Sequence, residues 1–298
     1  MSVVVPRSLA EALTVLGERP DALVLAGGTD LMVELNEGRR RVGDDVTVVA
    51  LSRVPELRAW TLDREAATIR IGAGVTYADL AAEPFAGLVP ALAQAARTVG
   101  SPQIRNAATI GGNVATCSPA GDGLPVLAAL DAVVELTDGA GTRELPFAEF
   151  MVGVKRTARR PGELITAVTV SLLNGWQGYA KVGVRNAMVI AIAGACLAVD
   201  GPGRTVRLAL GSVAPTIVRA VEAESFAAAR ADWSAGSFAG DDMAEFGRLA
   251  AAASSPIDDH RSTAAYRHHC VDVLSRRLLT RAFPAGGSPR RPSRAAEL

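Results

Sequence analysis

The stretch TIGGNVATCSPAGDGLP, residues 109–125, decides how the chain is read. It carries four glycines, one acid, Asp122, and no Lys, Arg or His. Ordering glycine costs more backbone entropy than ordering any other residue, so a glycine-rich stretch that folds must be held by something. A second stretch, LAGGTDLM at 25–32, has the same character: an apolar strand runs into Gly27 and Gly28, and Thr29 and Asp30 then open a helix. Backbone N–H groups exposed by glycines form anion-binding concavities, and a helix N-terminus adds its dipole. Two such stretches could grip a diphosphate from both sides, neutralised by backbone dipoles and hydroxyls instead of cations. Each glycine pair could equally serve a tight turn. Neither stretch fits G-x-x-x-x-G-K-[ST] or G-x-G-x-x-G, and GAG at 72–74 lacks the third glycine.

Composition narrows the class. At 298 residues and 49% hydrophobic, the chain can bury one large core or two domains and is not disordered. No apolar run reaches the ~18 residues that span a bilayer, and MSVVVPRSLAEAL lacks the pattern of a secretory signal, so a cytoplasmic protein is expected. A formal net charge of zero excludes nucleic-acid or membrane binding driven by excess charge. Cys117, Cys196 and Cys270 are far apart, which suits small buried hydrophobes better than a disulfide framework or an iron–sulfur cluster. His268 and His269 are adjacent, a poor geometry for one metal. Only two of the 31 basic residues are lysines, Lys155 and Lys181, which either marks tight sites or places both on the surface. No nucleophile elbow, H-E-x-x-H or carboxylate pair is visible. A nucleotide-like site without acid–base apparatus points to a cofactor carrier.

Along the chain, strands are predicted at 3–5, ALVLAGG, VTVVALS, ATIRIGAGV and AVVELTD, and helices at SLAEALTVL, DLMVELNEG, TYADLAAEP, LVPALAQAARTVG and LPVLAALDA. Ser8 with Glu11 and Thr76 with Asp79 have capping-box spacing. The stretch 109–125 is read as loop, with Asp122 either a ligand acceptor or the N-cap of the helix after it. From residue 163, ELITAVTVSLL, GYAKVGV, MVIAIAGACLAVD and RTVRLALGSVAP read as four strands of one antiparallel sheet, followed by helices near 217–234, 241–253 and 262–283. In the last helix, Tyr266, Cys270, Val273, Leu274 and Leu278 form the stripe expected to face the sheet.

Four segments, LAGGTDLM, TIGGNVATCSPAGDGLPVLAALDA, KVGVRNAMVIAIAGA and SPIDDHRSTAAYRHHCVDVLSRRLL, resemble in this order the FAD-binding (medium, flavoprotein) subunit of the molybdenum hydroxylases, the xanthine dehydrogenase and aerobic carbon monoxide dehydrogenase family. The resemblance implies an α+β fold: a PCMH-type FAD-binding domain of two α/β lobes over residues 1–175, a C-terminal α+β domain of antiparallel sheet plus helices over 176–284, and a disordered tail over 285–298. It implies FAD held by Val24, Leu25, Ala26, Gly27, Gly28, Thr29, Asp30 and Leu31, by Thr109, Ile110, Gly111, Gly112 and Asn113, and by Asp122, Ile165 and Lys181. It implies no catalytic residue and no metal ligand in this chain. The partners implied are a large molybdopterin subunit and a small subunit with two [2Fe–2S] clusters, in a dimer of heterotrimers. One departure is that no aromatic precedes the second glycine stretch, where Val99 stands. The alternatives are a stand-alone PCMH-type flavin oxidoreductase and a non-catalytic nucleotide-binding subunit.

Overall fold

The first short β-branched runs pair in parallel because each is separated from the next by helix. The computed structural model describes residues 2–41, 43 and 45–284; the expected tail, 285–298, lies outside the described residues. β1 (Ser2–Val4), α1 (Leu9–Glu18), β2 (Leu23–Leu25), α2 (Leu31–Asn36) and β3 (Thr47–Ala50) form the first lobe, with sheet order β1–β3–β2. Both pairings are parallel. Ser8 caps α1 by accepting from Glu11 N at 3.2 Å. Glu11 reaches back to Arg7 N at 2.7 Å, one residue beyond the box expected.

A second lobe follows: β4 (Trp60–Asp63), β5 (Thr68–Gly72), α3 (Tyr77–Leu80), α4 (Phe85–Leu88), α5 (Pro90–Thr98), α6 (Pro102–Ala107), α7 (Ile110–Thr116), α8 (Leu124–Ala129), β6 (Val133–Thr137), β7 (Thr142–Pro146), α9 (Phe147–Phe150), β8 (Met151–Gly153), β9 (Arg156–Thr157) and β10 (Leu164–Ser171). Its main sheet runs β4–β5–β10–β6–β7, antiparallel at every pairing. Two expectations change here. Leu164–Ser171 is the central strand of this sheet and not the first strand of the C-terminal one. Its residues are buried on both faces, and it pairs with Ile69, Ile71, Val134 and Leu136, partners that no local pattern specifies. The stretch read as loop holds helix α7, and α6 lies just before it in residues left unassigned. At α3 the capping box is complete: Asp79 N donates to Thr76 Oγ1 and Thr76 N to Asp79 Oδ2, both at 3.2 Å.

The C-terminal part contains β11 (Gly175–Val182), β12 (Ala193–Asp200), β13 (Thr205–Gly211), β14 (Val218–Arg219), α10 (Val221–Arg230), α11 (Met243–Ala252) and α12 (Ala264–Ala282). The sheet is antiparallel in chain order. One face, with Tyr179, Cys196, Ala198 and Ala209, joins the core of the second lobe. The other, with Ala195, Leu197, Leu208 and Leu210, packs under the three helices. A strand covered on both sides needs no polar face, which is why residues 193–199 are an unbroken apolar run. Each fully buried Leu on it contributes roughly 1.5–3 kcal/mol.

The stripe on α12 is rotated from expectation. Tyr266 is 48% exposed, while Arg267 and Val271 face inward with Cys270, Leu274 and Leu278. Arg267 can be buried because its guanidinium donates to Ile192 O at 2.8 Å, Ser212 O at 2.7 Å and Asp259 Oδ1 at 2.7 Å. It ties the loop before α12 to the start of β12 and the end of β13.

Candidate functional site

The two glycine stretches face each other across the junction of the lobes. Gly27 packs so closely on the Ala107–Ala108 backbone that a Cβ there would overlap the Ala107 carbonyl oxygen. Gly111 lies on Ala73, whose Cβ would be 2.5 Å from an added one. Gly112 is different. A Cβ there would meet only Thr109 Oγ1 at 3.1 Å and Ala26 Cβ at 3.9 Å, so this position forms an open wall toward the first stretch. Thr116 Oγ1 donates to Asp30 Oδ2 at 3.0 Å, closing the pair of stretches from the far side.

Their hydrogen-bonding states divide the labour between them. In the second stretch every N–H from 110 to 113 is taken: Ile110 by Val75 O, Gly111 by Ala73 O, Gly112 by the Thr109 hydroxyl and Asn113 by Thr109 O. Its glycines serve close approach and supply no free donors. In the first stretch, among the described residues, the N–H groups of Gly27, Gly28, Thr29 and Asp30 have no acceptor in the chain. Gly28 takes a left-handed φ of 72°, which lets successive N–H groups converge. Four free donors beside a Cβ-free wall make a cradle that suits a diphosphate. The idea that both stretches donate is corrected to one donor stretch and one wall.

Val24 and Leu25 end β2 and lead into this cradle, with Ala26 next to Gly112 and Leu31 opening α2. Asn113 is oriented by the Tyr77 hydroxyl, which donates to its Oδ1 at 2.7 Å and leaves the amide hydrogens for other acceptors. Burial keeps that tyrosine neutral by raising its pKa. Ile165 is 5% exposed and lies one layer below: Thr166 O beside it accepts from Ala73 N at 2.9 Å, and Ala73 supports Gly111. Its apolar side chain belongs to the core.

Asp122 and Lys181 meet. Lys181 Nζ is 2.7 Å from Asp122 Oδ2, and the side chains are 9% and 8% exposed. The Tyr179 hydroxyl donates to Asp122 Oδ1 at 2.8 Å. Burial pushes the Asp122 carboxyl above the usual carboxylate range, against the pull of Lys181, Tyr179 and Thr98. Burial also raises the Tyr179 hydroxyl, and the Asp122 charge adds to it. Asp122 is not the cap of α8; Gly123 occupies that position with no side-chain bond. Sequence reasoning missed Tyr77 and Tyr179. Tyr179 had a faint signal, two residues before Lys181 and so on the same strand face; Tyr77 had none.

Among the described residues no group of three or more His, Cys, Asp or Glu side chains is placed to hold a metal, and no helix is long and apolar enough to cross a membrane. Two family models match the chain: the FAD binding domain in molybdopterin dehydrogenase over residues 1–171, and the CO dehydrogenase flavoprotein C-terminal domain over residues 179–282. The nicotinate dehydrogenase FAD-subunit of Eubacterium barkeri is 37% identical over 202 residues, 65% of this chain and 67% of that one. The glyceraldehyde dehydrogenase medium chain of Sulfolobus acidocaldarius is 32% identical over 281 residues, 92% of this chain and 95% of that one. A solved structure of carbon monoxide dehydrogenase from Hydrogenophaga pseudoflava superposes with a TM-score of 0.83 at 29% identity, over 95% of this chain and 96% of that one.

Proposed function

The chain belongs to the FAD-binding flavoprotein subunits of the molybdopterin dehydrogenases, and from that premise we propose that it is the flavin relay of a multi-subunit oxidoreductase, built to hold FAD and to leave substrate chemistry to other chains. The observation that carries this reading is the run of free N–H groups at Gly27–Asp30 opposite the Cβ-free wall at Gly112. These residues would hold the FAD diphosphate. Val24–Ala26 and Leu31 would border it, Thr109–Asn113 would line its other side, and Asn113 would offer its amide hydrogens. Ile165 supports the floor of the site, and Asp122 with Lys181 closes its far end. Bound FAD supplies acceptance of two electrons and their release singly or in a pair.

In this reading the chain's own residues bind, orient and exclude water, and proton abstraction from a substrate is left to other chains. Proteins named for nicotinate, glyceraldehyde and carbon monoxide dehydrogenation are all similar to this chain. A subunit common to such different substrates does not select them. The partners that follow are a large molybdopterin subunit and a small [2Fe–2S] subunit, assembled as a dimer of heterotrimers in the cytoplasm. The division between the flavin-binding part and the C-terminal part falls near residue 175, where β10 of one sheet gives way to β11 of the next. The test is direct: purify the chain, add FAD, remove the excess by gel filtration and record the spectrum. Retained flavin absorbance in about stoichiometric amount is expected; a colourless protein overturns the reading.

A further inference from the structure

An ammonium has three hydrogens to donate, and at Lys181 all three have acceptors: Asp122 Oδ2 at 2.7 Å, Thr98 O at 2.9 Å and Val189 O at 3.0 Å. The Thr98 carbonyl is in the last turn of α5, where orphan acceptors and the negative end of the dipole favour a cation. The Val189 carbonyl belongs to the segment 183–191, which leaves the sheet after Val182 and returns where Ile192 N donates to Val182 O at 2.7 Å. That segment is otherwise self-contained, with the Arg185 guanidinium donating to Ala187 O at 3.0 Å and Met188 O at 3.1 Å. Val184, Met188 and Ile190 on it are 70%, 54% and 51% exposed, and only Ala191 at its end is buried, so apolar burial does little to hold residues 184–190 in place. The tether ends against the cofactor cleft: a Cβ on Gly121, next to Asp122, would lie 2.9 Å from Asn113 Nδ2.

We propose that Lys181 is a positioning residue: paired with Asp122, it latches the segment 183–191 onto the C-terminal end of α5 and so against the flavin cleft, acting on the cofactor through that segment and not as a charge on the ring. The proposal rests on the FAD reading above for its functional half. Its structural half, the latch, stands on the three hydrogen bonds alone.

Two variants test it, Lys181→Met and the double variant Lys181→Met with Asp122→Leu. The double variant removes both buried charges together and so avoids the unpaired carboxylate that could unfold the single one. Three quantities are read on the full chain: the rate of tryptic cleavage after Arg185, with the fragment identified by mass; the FAD dissociation constant; and the flavin reduction potential at saturating FAD. Both variants are expected to be cut after Arg185 about tenfold faster and to bind FAD about tenfold more weakly, with the potential of the bound flavin unchanged. Cleavage at the wild-type rate overturns the latch. Faster cleavage with unchanged FAD affinity, or with a shifted potential, overturns its action on the cofactor through the segment. A chain that binds no FAD in any form fails the earlier reading, and the cleavage rate of the unliganded protein then still decides the latch.

Discussion

At Gly27 an added Cβ overlaps a backbone carbonyl, at Gly111 it strikes Ala73, and at Gly112 it meets only a hydroxyl at 3.1 Å and open cleft. The three positions therefore separate folding from binding. Gly27→Ala should destabilise the chain by about 1–3 kcal/mol, the range for overpacking, seen as a lower thermal midpoint. Gly112→Ala replaces a helical glycine, so stability should hold or rise by up to about 1 kcal/mol, while FAD affinity falls about tenfold. Titration of both variants with FAD, beside thermal melts, checks this; wild-type affinity in Gly112→Ala would remove that residue from the wall of the site. The two lysines are also resolved at this scale. Lys181 joins the two parts of the chain through Asp122, and Lys155, in the β8–β9 turn, joins the first lobe through Glu34 at 2.8 Å. In a chain that otherwise uses arginine, both lysines bridge separate elements, Lys181 in a buried pair and Lys155 in an exposed one.

The loop from Asp259 to Thr263 shows what single elements reveal and conceal. Burial alone would raise the Asp259 carboxyl, but the N–H groups of Arg261 and Ser262 and the Arg267 guanidinium hold it down at about 2. A carboxylate with a depressed folded pKa adds stability that is present above its unfolded value, about 3.9, and is lost as pH falls toward about 2. Asp259→Asn should lower stability at neutral pH by on the order of 1 kcal/mol, after allowance for its partial exposure, and flatten the acid limb. Denaturant midpoints between neutral pH and about pH 2 check it; parallel curves for the two proteins would contradict it. Local chemistry was legible in the sequence. The Thr76–Asp79 capping box and the apolar strands of the C-terminal sheet were visible because their signals lie within a few residues. Partner choice was not. Nothing inside LITAVTVS says that it pairs with β5, some ninety residues earlier in the chain, and its two buried faces resemble those of β12. The edge strands β4 and β7 escaped because exposed and charged sequences, with a proline in β7, are what edges use to avoid further pairing. Helix α7 was hidden by its own glycines, which disfavour helix in isolation and are tolerated here because Gly111 must approach Ala73.

At the scale of the molecule, a donor stretch in one lobe and a glycine wall in the other make the cleft we propose for the cofactor, and a sheet buried on both faces joins it to the C-terminal helices. Composition alone marked the glycine stretches as a candidate diphosphate site or a pair of tight turns; their division into donor and wall required the acceptors in the fold, Val75, Ala73 and Thr109, which lie on other segments or in the cap. On the proposed function, this chain carries electrons through FAD and leaves oxidation of the organic substrate to its partner subunits. One measurement tests it most directly. The purified chain, loaded with FAD and kept anaerobic, is mixed in turn with dithionite and with candidate purines, aldehydes, N-heteroaromatic acids and carbon monoxide, and the flavin absorbance is followed; the substrate additions are then repeated with the molybdenum and iron–sulfur subunits present. The expected result is bleaching by dithionite at once, and by a substrate only after the partner subunits are added. Bleaching by any of these substrates with the chain alone would contradict the claim.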